Sequence, residues 1–129
     1  MDRVEVIYLD THVVVQLYLG QISALGAAAR KAIEEHNLLV SPASVLELQF
    51  LHEIGRLQPT ASKVVNALGN DVGLRICELP FGSVVNQALK ENWTRDPFDR
   101  LIVAQAKAKE AALVTKDQKM HAHYSRALW

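Results

Sequence analysis

The sequence predicts an α/β protein built around a parallel sheet that helices cover on both faces. Short apolar runs, typical of buried strands, alternate along the chain with longer segments of helical periodicity. This alternation places a helix in each crossover between strands, which is the arrangement found in parallel sheets. With 129 residues, half of them hydrophobic, the chain is expected to form one domain, residues 1–129, with a substantial core.

The charge balance restricts the possible functions. Lysine and arginine number 14, as do aspartate and glutamate, so the formal net charge is zero. This argues against a protein that holds nucleic acid through bulk positive charge, although a local basic patch is compatible with it. The single cysteine, Cys77, excludes an intrachain disulfide and favours a cytoplasmic location. Residues 1–9 carry three charges and no long apolar run, so neither a signal peptide nor a membrane span is expected.

Five apolar runs are expected to form strands. They are Val4–Leu9, Leu38–Val40, Leu74–Leu79, Ala112–Thr115 and Ser125–Trp129. Helices are expected between them, over about Val13–Tyr18, Ser23–His36, Pro42–Ile54, Pro59–Asn70, Ser83–Glu91 and Pro97–Lys107, with a short one after Asp117.

Capping residues mark several of the predicted helix ends. Candidate N-caps are Ser41, Thr60 and Asp96. Two of these caps are followed by proline, which suits the first helical position because its missing N–H group needs no partner there. Gly55 and Gly69 are predicted to lie at or near helix C-termini.

Asp99 and Glu47 are acids at positions where a solvated side chain is not expected. Asp99 heads a helix face that continues with Ile102, Val103 and Ala106, and Glu47 shares its face with Ala43, Phe50, Leu51 and Ile54. Asp99 also has an ordinary explanation, since an acid in the first turn favours the helix dipole by about 0.3–1 kcal/mol. For Glu47 the ordinary explanation is a buried ion pair with Arg56 or Arg100, because an unpaired buried carboxylate costs several kcal/mol.

Two further acids follow strands directly. Asp10 comes immediately after the first predicted strand, and Asp117 stands at the carboxyl end of the fourth. Each has an alternative role as a helix cap or turn residue. In a parallel sheet, however, these positions open onto the same edge as Glu47 and Asp99, at the end where ligands bind.

Four carboxylates at one edge would repel one another unless a cation lay among them. Oxygen ligands of this kind suit Mg²⁺ or Mn²⁺. His12 is more consistent with a surface or supporting residue than with a metal ligand, and the other histidines are scattered. The phosphate-loop pattern, the dinucleotide glycine fingerprint and the nucleophile elbow are absent from the sequence. The pattern therefore points to metal-assisted hydrolysis of a phosphodiester.

Four segments, taken together and in this order, resemble the PIN domain, and in particular the VapC-type toxins of bacterial toxin–antitoxin pairs. They are Leu9-Asp-Thr-His12, Ser44-Val-Leu-Glu-Leu48, Asp96-Pro-Phe-Asp-Arg-Leu-Ile-Val-Ala-Gln-Ala106 and Leu113-Val-Thr-Lys-Asp117. The resemblance runs from Ile7 to Trp129. It implies a Rossmann-like three-layer α/β/α sandwich with a central parallel five-stranded sheet. It also implies a Mg²⁺- or Mn²⁺-dependent endoribonuclease, commonly a homodimer, that a VapB-like antitoxin holds inactive.

The resemblance also implies roles for individual residues. The family's catalytic and metal-binding quartet falls on Asp10, Glu47, Asp99 and Asp117. Supporting roles are expected for Asp96, Thr11 and Thr115. By proximity to these segments, the cations expected to contact RNA are Arg95, Arg100, Lys116 and Lys119.

Three other interpretations are compatible with the sequence. One is a PIN-like protein that binds or regulates a partner without efficient cleavage, although an intact quartet argues against it. Another is a different Mg²⁺-dependent phosphoryl-transfer protein, such as a phosphatase or a phosphoaspartate receiver, in which Glu47 inside a helix would have no role. In the last, every acid is a cap or an ion-pair partner.

Overall fold

One parallel sheet of five strands forms the centre of the protein. A computed structural model describes residues 5–129, so Val4 of the first predicted strand lies outside the described part. The strands are β1 (Val6–Leu9), β2 (Asn37–Val40), β3 (Arg75–Ile76), β4 (Ala112–Val114) and β5 (Ala127–Leu128). Their order in the sheet is β3-β2-β1-β4-β5, and every neighbouring pair is parallel. The predicted central sheet is therefore confirmed.

Helices cover both faces of this sheet. Within residues 5–129 they are α1 (Thr11–Tyr18), α2 (Ala27–Glu35), α3 (Pro42–Glu53), α4 (Ala61–Val72), α5 (Phe81–Ala88), α6 (Pro97–Lys109) and α7 (Gln118–His123). Ile7 and Leu9 of β1 face a core shared with α1 to α4, whereas Tyr8, between them, faces α6 and α7. This confirms the three-layer α/β/α sandwich. None of the described helices is long and apolar enough to cross a membrane.

The predicted helix caps form as expected. The side chains of Ser41, Thr60 and Asp96 accept hydrogen bonds from backbone N–H groups in the first turns of α3, α4 and α6. Gly55 follows α3 with a φ of 78°, a conformation that glycine adopts without a steric penalty. Gly69 lies in the last turn of α4, near its end as predicted, and the helix continues to Val72 with Gly73, whose φ is 72°, as its C-cap.

The predicted helix over Ser23–His36 is interrupted. The chain forms a 3₁₀ turn at Ile22–Ala24 and starts α2 only after Gly26, whose backbone is extended. A Cβ atom on Gly26 would lie 2.6 Å from the backbone carbonyl carbon of Trp129. The C-terminal residue thus packs directly on the backbone at Gly26, a contact between sequence-distant residues that helical periodicity does not reveal.

The predicted strand Leu74–Leu79 is much shorter in the structure. Only Arg75 and Ile76 pair with β2, through Leu39 and Val40, and both are exposed at the edge of the sheet. Because β2 ends at Val40, the chain beyond Ile76 has almost no strand left to pair with. The next helix, α5, spans Phe81–Ala88 and so begins and ends earlier than the predicted Ser83–Glu91.

Candidate active site

The strand order creates a crevice at the carboxyl edge of the sheet. From β1 the chain moves to β2 and β3 on one side and later to β4 and β5 on the other. Open α/β sheets bind their ligands outside the carboxyl ends of the strands at such a reversal, here between β1 and β4. The backbone N–H of Asp10 donates to the carbonyl of Val114 at 3.0 Å, so the residues that follow the two strands lie side by side.

Asp10 is a buried carboxylate that two groups hold in place. It is only 4% exposed; Oδ1 accepts from the backbone N–H of Thr11 and Oδ2 from the hydroxyl of Thr115, both at 2.8 Å. Burial raises the pKa of Asp10 above its ordinary value, and the nearby charge of Asp117 raises it further, against the lowering effect of these hydrogen bonds. Thr115 and Thr11 therefore both contact Asp10, and their supporting role at the site stays a prediction.

Asp99 lies in the first turn of α6, which Asp96 caps. The Asp96 carboxylate accepts from the N–H groups of Phe98 at 2.8 Å and of Asp99 at 3.3 Å. Burial and the negative charges of Asp96, Asp10 and the other site acids raise the pKa of Asp99 to about 7. A cation bound beside Asp99 would lower this pKa, because an opposite charge favours the ionised form.

Glu47 reaches the site from α3, but the helix faces the core differently from the prediction. The side chains of α3 that are fully buried are Ser44 and Leu48, whereas Phe50 is 47% and Ile54 50% exposed. Glu47 is thus half-buried at the border of the core and not at the centre of an apolar stripe. Burial and the charges of Asp10 and Asp96 raise its pKa.

The ion pair that would have explained Glu47 structurally does not form. In the part of the chain that the structure describes, the only salt bridge joins Lys107 to Glu91. The guanidinium of Arg100 instead donates to the carbonyls of Ala88 and Leu89 at the end of α5.

Asp117 has a structural role as well as a place at the site. Its carboxylate accepts from the N–H groups of Lys119 at 2.8 Å and Met120 at 3.2 Å, so it caps α7. Its charge also contributes to the raised pKa values of Asp10 and Asp99, which places it near both. The structure therefore brings all four predicted acids to one edge of the sheet, together with Asp96.

The donor chemistry of this edge fits a divalent cation. All the converging groups are oxygens, and their negative charges raise one another's pKa values in addition to the effect of burial. The hydroxyl of Thr11 is also buried without a hydrogen bond of normal geometry, although it lies close enough to Glu47 to lower the pKa of that carboxylate. Across residues 5–129, no group of three or more His, Cys, Asp or Glu side chains stands in an arrangement that could hold a metal ion. The carboxylates at this edge therefore match a divalent cation in donor chemistry, whereas the described side chains do not form a complete set of ligands.

Comparison with known proteins identifies the family. The PIN-domain family model matches residues 7–125. The chain belongs to the PIN-domain family. A search of curated protein sequences finds no match.

Several solved structures share the fold of this PIN domain at 16% sequence identity. A toxin–antitoxin complex from Klebsiella pneumoniae gives a TM-score of 0.65 and covers 95% of this chain and 96% of the other. VapBC2 from Rickettsia felis, bound to a promoter DNA fragment, gives 0.59 with 91% and 92% covered. VapBC-1 from nontypeable Haemophilus influenzae gives 0.56 with 96% of both chains covered. At this identity the likeness shows the fold alone.

The predicted RNA-contacting cations of the PIN domain lie in different surroundings. Arg95, Lys116 and Lys119 are exposed, and so is His12, as expected for a surface residue. Arg100 is partly buried and uses its guanidinium to hold the end of α5. The first three cations are therefore better placed than Arg100 to meet a ligand.

Sequence reasoning missed Glu91, which fixes the loop that leads to Asp96. Glu91 is 2% exposed and contacts Lys107 Nζ at 2.5 and 3.1 Å, while the indole N–H of Trp93 donates to it at 3.0 Å. Burial alone would raise the pKa of Glu91, but the hydrogen bonds from Lys107 and Trp93 lower it below the ordinary value. No spacing in the sequence marks this glutamate as buried, because its partners lie across a loop and a helix.

Proposed function

We propose that this PIN domain is a metal-dependent endoribonuclease and the toxin component of a type II toxin–antitoxin pair. The observation that carries the proposal is the convergence of Asp10, Glu47 and Asp99 at the switch point of the sheet, with pKa values raised by burial and by one another. Raised pKa values in a crevice are typical of functional sites, and oxygen-only sites suit Mg²⁺ or Mn²⁺.

The side chains of the site would have different roles because their surroundings differ. Asp10, Glu47, Asp99 and Asp117 would hold the ion, which when bound supplies an acidic water and charge stabilisation for phosphodiester hydrolysis. Thr115 and the N–H of Thr11 fix both oxygens of Asp10, so this carboxylate is already oriented. Asp99 accepts no side-chain hydrogen bond from the rest of residues 5–129, so it is free to adjust to an ion.

Partners are proposed on two grounds. The structural neighbours are described as toxin–antitoxin complexes, which supports a small VapB-like antitoxin as a partner here. The exposed large apolar side chains include Leu46, Phe50, Phe81 and Leu89, and such surface is typical of protein interfaces, including those of homodimers. A cytoplasmic location is part of the same proposal.

RNA cleavage tests the enzymatic part. Purified protein should cleave single-stranded RNA or a structured RNA loop in Mg²⁺ or Mn²⁺, and Asp99→Asn should abolish cleavage. The matched control is Asp71→Asn, which removes the same charge from an exposed position at the far end of α4. Equal cleavage in excess EDTA, or full activity of Asp99→Asn, would contradict the proposal.

Co-expression with the product of a neighbouring small reading frame tests the toxin role. A complex that elutes earlier in gel filtration and has lost RNA cleavage supports an antitoxin. If the complex forms but the PIN domain purified without its partner never cleaves RNA, the alternative of a binding or regulatory protein is favoured instead.

A further inference from the structure

A cavity adjoins the carboxylate site between α1 and the C-terminal segment. It encloses about 430 Å³, and Asp10 and Asp117 form the part of its lining that it shares with the site. Much of the rest of the lining is apolar or aromatic, from Val13 and Val15 of α1 and from Trp129. A ligand in this cavity would therefore lie directly beside the carboxylates.

Trp129 gives the cavity a planar aromatic surface with a cation above it. The Nζ atom of Lys116 lies 6.0 Å from the centre of the Trp129 ring system. Lys116 is exposed, and Trp129 is only partly buried. An exposed cation–π contact is weak, so Lys116 can move aside for another planar group and remain close to it.

The indole is held in position by the rest of the fold. A Cβ atom on Gly26 would lie 2.7 Å from Cδ1 and 3.0 Å from Nε1 of Trp129, so the backbone there packs on one edge of the indole. Trp129 also packs against the core on the α1 to α4 side of the sheet. A side chain that is ordered before binding loses little conformational entropy when a ligand stacks on it.

We propose that this cavity is a nucleotide subsite, in which one base of single-stranded RNA stacks on Trp129 while Lys116 contacts the adjoining phosphate. The inference rests on the proposed ribonuclease function, whose substrate it positions. Single strands bind proteins through aromatic stacking combined with cations along the backbone. Gln16 also lines the cavity, and its amide can both donate to and accept from a base edge.

The charge balance of the chain favours this occupant over a segment of a protein partner. With a formal net charge of zero, RNA must be held by local features and not by a general positive field. The cavity combines the aromatic face of Trp129 with the exposed cation of Lys116 and with two carboxylates, Asp10 and Asp117. An apolar peptide side chain would use the apolar lining but neither the cation nor the carboxylates.

Tryptophan fluorescence provides a direct test, because the chain has two tryptophans and only Trp129 lines the cavity. Trp93→Phe leaves Trp129 as the only fluorophore, and Trp129→Phe leaves Trp93, which stacks on His123. Each variant is titrated with ten-nucleotide oligouridylate and oligoadenylate in EDTA. The titration is repeated in Mg²⁺ with versions of both variants that also carry Asp99→Asn. We expect RNA to quench Trp129 strongly and Trp93 little.

Substitutions then separate the two contacts. Trp129→Ala should weaken RNA binding roughly 10- to 100-fold, and Trp129→Phe should weaken it less because a smaller ring remains. Lys116→Ala should lower the slope of log affinity against log salt by about 0.7, as expected for one phosphate contact to a single strand. The matched control is Lys109→Ala, which removes an exposed lysine at the C-terminal end of α6, the end opposite to Asp99. It should leave the slope unchanged.

The result separates this inference from the proposed function. If the unsubstituted protein cleaves an RNA in Mg²⁺ that does not quench Trp129 in either titration, the subsite is wrong and the proposed nuclease is unaffected. Quenching of Trp129 by an RNA that the unsubstituted protein does not cleave in Mg²⁺ supports the subsite and contradicts the nuclease. A change in Trp129 emission that only the co-expressed partner protein causes would assign the cavity to protein binding and overturn the inference.

Discussion

Asp99→Asn should stabilise the metal-free protein at alkaline pH, although it removes a proposed ligand. The pKa of Asp99 rises from an ordinary 3.8 to about 7, because burial and the surrounding carboxylates disfavour its charged form. The full shift corresponds to about 4 kcal/mol. Solvent screens a half-buried group, so we expect a gain of about 1–2 kcal/mol at pH 8. For a domain of this size that raises the melting temperature by about 3–8 °C.

The pH dependence of this gain identifies its cause. Because the folded pKa lies above the unfolded one, the ionised group destabilises the fold fully above pH 7. That penalty shrinks as the pH falls from 7 towards 4 and is absent below the unfolded pKa. The advantage of Asp99→Asn in EDTA should therefore be largest at pH 8, smaller at pH 6 and absent at pH 3.5.

Urea unfolding and thermal melts at these pH values, with Asp71→Asn as the charge-matched control, measure the effect. Mg²⁺ should then raise the melting temperature of the parent protein more than that of Asp99→Asn, because a ligand of the folded state stabilises it by mass action. If Asp99→Asn is less stable than the parent at pH 8 in EDTA, the carboxylate has a stabilising partner and the account of mutual repulsion is wrong.

Three further substitutions test individual contacts. Asp96→Ala should lower the free energy of unfolding by about 1 kcal/mol at pH 5.5 through loss of the α6 cap. The loss should be smaller at pH 8, where the substitution also relieves the repulsion between Asp96 and the ionised Asp99. Equal losses in urea titrations at the two pH values would contradict this. Thr115→Val should lower stability by about 1–2 kcal/mol in urea, because a carboxylate oxygen of Asp10 loses its hydroxyl donor, whereas Thr115→Ser should retain most of it. Gly26→Ala should cost about 1–3 kcal/mol through its clash with Trp129, and an unchanged melting temperature would refute that contact.

The positions of the acids at the site followed largely from local sequence rules. A carboxylate placed just after a buried parallel strand, as at Asp10, must emerge at the carboxyl edge whatever the remaining packing. Asp96 before Pro97 likewise fixed the start of α6 and so the first-turn position of Asp99. These features depend on strand direction and capping chemistry, which act over a few residues.

The sequence by itself therefore determined the alternation of strands and helices, the parallel sheet and the edge to which the acids belong. Only the tertiary structure decided which helix faces are covered, because a helix with apolar residues on several sides can bury any of them. The helix α3 buries Ser44 and Leu48 and leaves Phe50 exposed, which moves Glu47 from the predicted centre of the stripe to its border. The break at Gly26 also depends on a residue more than a hundred positions away, a contact that local periodicity cannot encode.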